Sequence, residues 1–274
     1  MKKNSSKLGI TLDYKPLWRR ILDCWPLYLM LLPAVIYYIL ICYVPIAGNV
    51  LAFKDYSFRK GIWGSPWVGW KYFNMFFSSY DCWRLIKNTL HIGFIKCILE
   101  FPFAIILALL LNEIRALKFK KITQTITYLP HFLSSVIIVT MLQRILAPNT
   151  GFLNQIIGRL GGPTDTFFMM KAEYFHELLF GMDIWRNIGW DSIIYIAALT
   201  GVSPDLHEAA IVDGASKFKR LIHIDIPCIL PTIAIKWIMS ISGLFRGSFD
   251  MSYLLNNGFN HDINYVLEYF ITER

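Results

Sequence analysis

Charged residues are scarce: Asp, Glu, Lys and Arg make up 17% of the 274 residues, against about 25% in an average soluble domain. Hydrophobic residues reach 55% and aromatics 16%. That much apolar surface cannot all be buried inside the protein, so lipid is the expected solvent. No G-x-x-x-x-G-K-[ST] phosphate loop occurs, so the chain is not expected to hydrolyse ATP itself. No H-E-x-x-H zinc site occurs either, because Phe180 stands where the second histidine after His176-Glu177 would fall. A G-x-S-x-G elbow is also missing. These absences argue against a membrane enzyme, and neither a catalytic residue nor a metal ligand is expected. The five cysteines, Cys24, Cys42, Cys82, Cys97 and Cys228, include no C-x-x-C pair. They read as small apolar side chains.

What is abundant is basic charge between apolar runs. The formal net charge is +8, but Lys and Arg are interspersed among hydrophobic stretches and do not form one soluble face. That pattern fits residues flanking membrane spans and contact with anionic lipid, and disfavours nucleic acid. Residues 1–24 form a basic tail carrying Lys2, Lys3, Lys7, Lys15, Arg19 and Arg20, followed by a stretch from Cys24 to Phe53 without Asp, Glu, Lys or Arg. The stretch is too long for a signal-peptide core and has no small-residue cleavage site, so it reads as a retained first span.

A helix needs about 20 mainly apolar residues to cross the hydrocarbon core. Five stretches qualify as an all-α, polytopic membrane fold: about Pro26–Leu51, Thr89–Leu111, Ile122–Leu142, Phe180–Val202 and Cys228–Ser248. Pro33 and Pro45 are the expected kinks of the first. With the N-terminus in the cytoplasm, the inside segments hold 13 Lys and Arg against 10 outside. The inside segments are shorter and denser in positive charge, as the positive-inside rule requires.

Between the fourth and fifth spans lies a loop, residues 203–227, with legible local chemistry. Ser203 suits an N-cap, Pro204 the first helical position, and Asp205 and Glu208 the positive end of a helix. Gly214 can adopt the left-handed conformation that ends it. A second short amphipathic helix is expected over Ser216–Ile224, ahead of Pro227. Ala209 and Ala210 keep the first helix shallow, so a partner could approach closely.

The order Glu208-Ala209-Ala210, three residues, Gly214, nine residues, then Ile224-Asp225-Ile226-Pro227 resembles the EAA loop of ABC-importer permeases, with Asp213 in its usual place before the glycine. Further likeness to carbohydrate-uptake permeases of the maltose-transporter and multiple-sugar type lies in Trp185-Arg-Asn-Ile-Gly-Trp190, Pro102-Phe-Ala104, Tyr128-Leu-Pro130 and Phe249–Gly258. It covers roughly residues 24–274, so that 25–274 reads as one permease domain. The resemblance implies coupling to an ATPase through Glu208, Ala209, Ala210, Asp213, Gly214, Ile224 and Pro227. It implies two cytoplasmic ATPase subunits that use ATP and Mg, a second related permease, an external solute-binding lipoprotein, and a place in the bacterial cell membrane. No cofactor is expected on this chain itself. The family's core has six spans, and the sixth has no counterpart before Arg274.

Ionisable residues in spans are costly, about 2.5–3.5 kcal/mol each on insertion scales. Lys96 and Glu100 are four apart and can share a helix face, a structural pairing preferred here over a coupling-ion site. Sugars are held by aromatic faces and hydrogen-bonding groups, which makes Trp185, Asn187, Gly189 and Trp190 the candidate substrate path, with Gly243, Arg246 and Gly247 on the fifth span. The plainer readings are an interfacial aromatic belt and a Gly243-x-x-x-Gly247 packing seam. A permease for another solute, an ion-coupled transporter and a membrane scaffold with no transport role are the rival functions.

Overall fold

The computed structural model describes residues 18, 22–246 and 249–272. They are helical, with a single isolated bridge between Lys54 and Trp67 and no strand among the described residues. The chain divides into two compact units, Met1–Ser79 and Tyr80–Arg274.

In the first unit, α1 runs over Trp25–Phe53 with no buried residue, as a helix solvated by lipid should. A wide π turn, Tyr38–Tyr43, precedes Pro45. Proline has no N–H and its ring crowds the carbonyl four residues earlier, so the ladder opens by one residue. Beyond Phe53 the chain folds back on itself. Phe53 stacks on Trp67 with centroids 5.5 Å apart and touches Trp70 and Phe73. Tyr72 Oη donates to Asp55 Oδ1 at 2.7 Å; with Lys71, it holds the Asp55 carboxyl below the usual carboxylate range.

The second unit is built on α2, Cys82–Glu113, whose 32 residues span about 48 Å at 1.5 Å per residue. Its buried residues recur every three or four positions, from Leu85 through Thr89, Ile92, Gly93, Cys97, Phe101, Ala104 and Ala108 to Leu111. The helices that follow are α3 (Leu117–Tyr128), α4 (Ser135–Ile145), α5 (Phe175–Leu199), α6 (Pro204–Val212) and α7 (Lys217–Ile241); α5 packs along α2 most extensively, and α3 and α7 also meet it. The core joins α2, α5 and α7 through Phe101, Ala104, Ala108, Leu109, Tyr195, Leu199 and Ile229.

All five predicted spans fall on helix, with three corrections. The third is bent by 101° between Leu117–Phe132 and Ser135–Ile145. Pro130 and an extended Leu133 break the ladder, and Ser134 caps the new start through the amide of Ile137. The separate helix expected at Ser216–Ile224 instead merges into α7, where a π turn over Leu221–Asp225 absorbs Pro227. The fifth span ends at Ile241, short of Ser248, in a turn through Ser242 and Gly243. By length and composition three helices can cross a membrane (α1, α2 and α7), or four if the bent pair is one span. The helix α5 has 25 residues but carries Glu177, Asp183, Arg186 and Asp191.

Two close approaches fix the packing. A side chain at Gly189 of α5 would run into the Thr127 carbonyl of α3, and one at Gly93 of α2 into the Leu244 carbonyl. The last described helices are α8 (Phe249–Leu255), which packs on α4, and α9 (His261–Asn264) and α10 (Leu267–Thr272), which fold over the start of α2. Arg84 pairs there with Asp262 and Asp81, and Thr89 Oγ1 takes the Leu267 amide at 3.0 Å.

Candidate functional sites: a capped loop and a charged cavity

The loop's first helix is α6. Ser203 Oγ accepts the Asp205 amide at 3.3 Å, and Pro204 occupies the first turn. At the other end Gly214 has φ +75°, its N–H bonds the Ile211 carbonyl, and the Ala215 N–H bonds the Ala210 carbonyl at 2.8 Å. These two bonds are the Schellman arrangement, which satisfies carbonyls that a helix end otherwise leaves unpaired. Nothing lies within 4 Å of a Cβ built on Gly214; the glycine is required by conformation and not by space.

The capped helix is tied to α7 at its base. His207 Nε2 lies 3.3 Å from Asp225 Oδ1, and Asp225 is buried. Lys217 reaches Glu113 at the end of α2, 4.0 Å away. Glu208, Ala209 and Asp213 are exposed, whereas Ala210 and Ile224 are half-buried on a depression of about 320 Å³ lined also by Lys219, Arg220 and His223. Pro227 is exposed one turn further on. The loop also leaves large apolar side chains uncovered: Leu206, Ile211, Val212 (87% exposed) and Phe218 (70%).

Within the helices, charge is paired across elements. Lys96 Nζ lies 2.5 Å from Asp183 of α5 and 3.6 Å from Glu100 on its own helix. Further along, Lys236 of α7 bonds Asp191 of α5 at 3.0 Å. Asp183 also accepts from Asn187 Nδ2 at 3.0 Å; Asn187 Oδ1 lies 3.0 Å from His131 Nδ1. The His131 ring in turn stacks on Trp190, centroids 4.6 Å apart and 2° from parallel. A cavity of about 500 Å³ opens onto this chain of contacts, lined by Lys96, His131, Asp183, Arg186 and Asn187 together with Phe249, Asp250, Met251 and Glu268.

Of the expected substrate-path residues, Asn187 lines this cavity and Trp190 backs its histidine. Gly189 is buried against α3, Trp185 is exposed, Gly243 lies in the turn beyond α7, and Arg246 ends the turn Leu244–Arg246. Gly247 lies outside the described residues. Sequence reasoning missed His131, whose only signal was a polar ring next to a proline inside an apolar run.

Residues 100–272 match the model of the binding-protein-dependent transport system inner membrane component family. The chain belongs to that family. It is 38% identical over 249 residues to the LplB protein of Bacillus subtilis, covering 91% of this chain and 78% of that one. It is 41% identical to the polygalacturonan/rhamnogalacturonan transport system permease YteP of the same organism, covering 89% and 76%. Among solved structures, it matches a bacterial ABC transporter involved in import of the acidic polysaccharide alginate, with TM-score 0.84 and 34% identity over 94% of this chain and 87% of that one. A bacterial alginate ABC transporter in complex with an alginate pentasaccharide-bound periplasmic protein matches with the same TM-score of 0.84 and 34% identity, over 94% of this chain and 86% of that one. The permease resemblance read from the loop therefore holds, as does the all-α membrane fold. The chain is the membrane permease of an importer, a transport subunit and not an enzyme.

Proposed function

We propose that this chain imports oligosaccharides handed to it by an external binding protein, paired with a second permease and driven by two ATPases on the cytoplasmic face. The cavity supports a sugar substrate: it combines an aromatic stack, amide and guanidinium donors, and carboxylate acceptors. We take the N-terminus to lie in the cytoplasm, which, with α1, α2, the bent pair and α5 each crossing the membrane, puts the Ser203–Pro227 loop there as well.

The capped loop carries the proposal for ATP coupling. A water-facing loop that leaves Leu206, Ile211, Val212 and Phe218 uncovered needs a partner surface. Capping at both ends makes its first helix a rigid lever, and the His207–Asp225 contact joins that lever to α7. ATP, with Mg, is hydrolysed by the partners. Closure of the ATPases moves the lever and rocks α7 against α2 and α5, opening the cavity to alternate sides. Glu208→Lys is expected to abolish co-purification of the ATPase and ATP-dependent uptake while leaving detergent thermal stability within about 0.5 kcal/mol, as for an exposed site. Unchanged uptake and association would remove the loop from the mechanism. Lys96 is tied to Asp183 of α5 as well as to Glu100 of its own helix, and a pairing that links two helices in this way reads as structural rather than as an ion-coupling site.

A further inference from the structure

Arg186 differs from the other charges of α5. Lys96 sits between two carboxylates and Asp191 has Lys236, but no carboxylate lies within 4.0 Å of Arg186 among the described residues. Its Nη1 donates to Ser135 Oγ at 2.8 Å, and its Nε is buried with no partner. A guanidinium inside a membrane protein without a counter-charge is costly, and its planar fork matches a carboxylate in two parallel hydrogen bonds. Two carboxylates of the same cavity wall complement it. Asp250 of α8 and Glu268 of α10 line the same space and have no cation within 4.0 Å among the described residues. The cavity wall thus holds a guanidinium with no carboxylate bonded to it among the described residues, together with acceptors for hydroxyl groups.

We propose that Arg186 receives the carboxylate of an acidic oligosaccharide, whose hydroxyls face Asp250 and Glu268. This deepens the oligosaccharide reading and rests on it. A single negative charge suits the site better than a phosphate, which carries nearly two at neutral pH, because one guanidinium shares the cavity with two carboxylates. A neutral sugar could use the same hydroxyl acceptors but would leave Arg186 without a directly bonded carboxylate.

The test uses the complete transporter, the chain with its second permease and ATPases in nanodiscs, without binding protein so that only the permease site is read. Titration calorimetry compares trigalacturonate with its fully methyl-esterified, uncharged form. A hydrogen bond to a charged group corresponds to roughly tenfold to a hundredfold in affinity. The acid form should bind the wild type tighter by that factor, R186Q should erase the preference while still binding the ester, and R186K should keep part of it. Equal binding of acid and ester by the wild type, or an equal loss of both in R186Q, would overturn the assignment and leave the oligosaccharide reading standing. If the wild type binds neither form, the oligosaccharide reading falls and the assignment falls with it.

Discussion

The two polar regions of the second unit keep their charged and polar groups satisfied by opposite means. In the α2–α5–α7 interior, Lys96, Asp183, Glu100, Asp191 and Lys236 find partners on other helices or one turn away. In the Ser203–Gly214 loop the satisfying bonds lie within six residues, and the charged side chains of Glu208 and Asp213 are exposed. The interior is built to hold one arrangement of helices at a time, whereas the loop is built to be stiff in itself and to present a surface. A transporter needs both: a bundle with discrete packings, and a handle that moves as one piece.

The interior should break hardest. Asp183→Leu leaves Lys96 with Glu100 alone in a largely buried place and is expected to cost about 3–5 kcal/mol, the usual penalty for stripping one partner from a buried pair. Thermal unfolding of the purified chain in detergent reads it. The triple variant Lys96→Met, Asp183→Leu and Glu100→Gln, which strands no charge, should recover most of the loss, and a silent single variant would mean that the pair is not structural.

Glycines sharpen the same contrast. Gly189→Ala pushes a methyl into the Thr127 carbonyl and should cost about 1–3 kcal/mol as overpacking, again read by thermal unfolding. Gly214→Ala meets no atom within 4 Å and pays only for its left-handed backbone, about 1–2 kcal/mol, confined to the loop. Smallest is Ser203→Ala, about 1 kcal/mol for a lost N-cap. Faster hydrogen exchange of the amides of 204–212, with the exchange of α2 unchanged, is the expected reading. If Ser203→Ala also loosened α2, the loop would not be an independent lever.

How much was legible follows from range. The N-cap, the proline and the glycine of the loop act through neighbours a few residues away, so their types and spacing were enough. Lys96–Glu100 was legible for the same reason, one helical turn apart. Asp183 as the closer partner of Lys96 was not, because it depends on how α2 and α5 are rotated against each other. The break in the third span needed both Pro130 and the extended Leu133, and the proline alone was a weak signal within an apolar run. At Pro227 the error was to read a proline as a boundary; a π turn carried the helix through it. The Gly243–Gly247 seam assumed a helix that ends at Ile241.

The most direct test of the account is uptake of a labelled oligosaccharide into proteoliposomes holding this chain, its second permease and the ATPases, with binding protein added outside. Uptake should require internal ATP and the binding protein, ignore a proton ionophore, and fall to background in Glu208→Lys. Uptake that runs without ATP, collapses with the ionophore and persists in Glu208→Lys would contradict it.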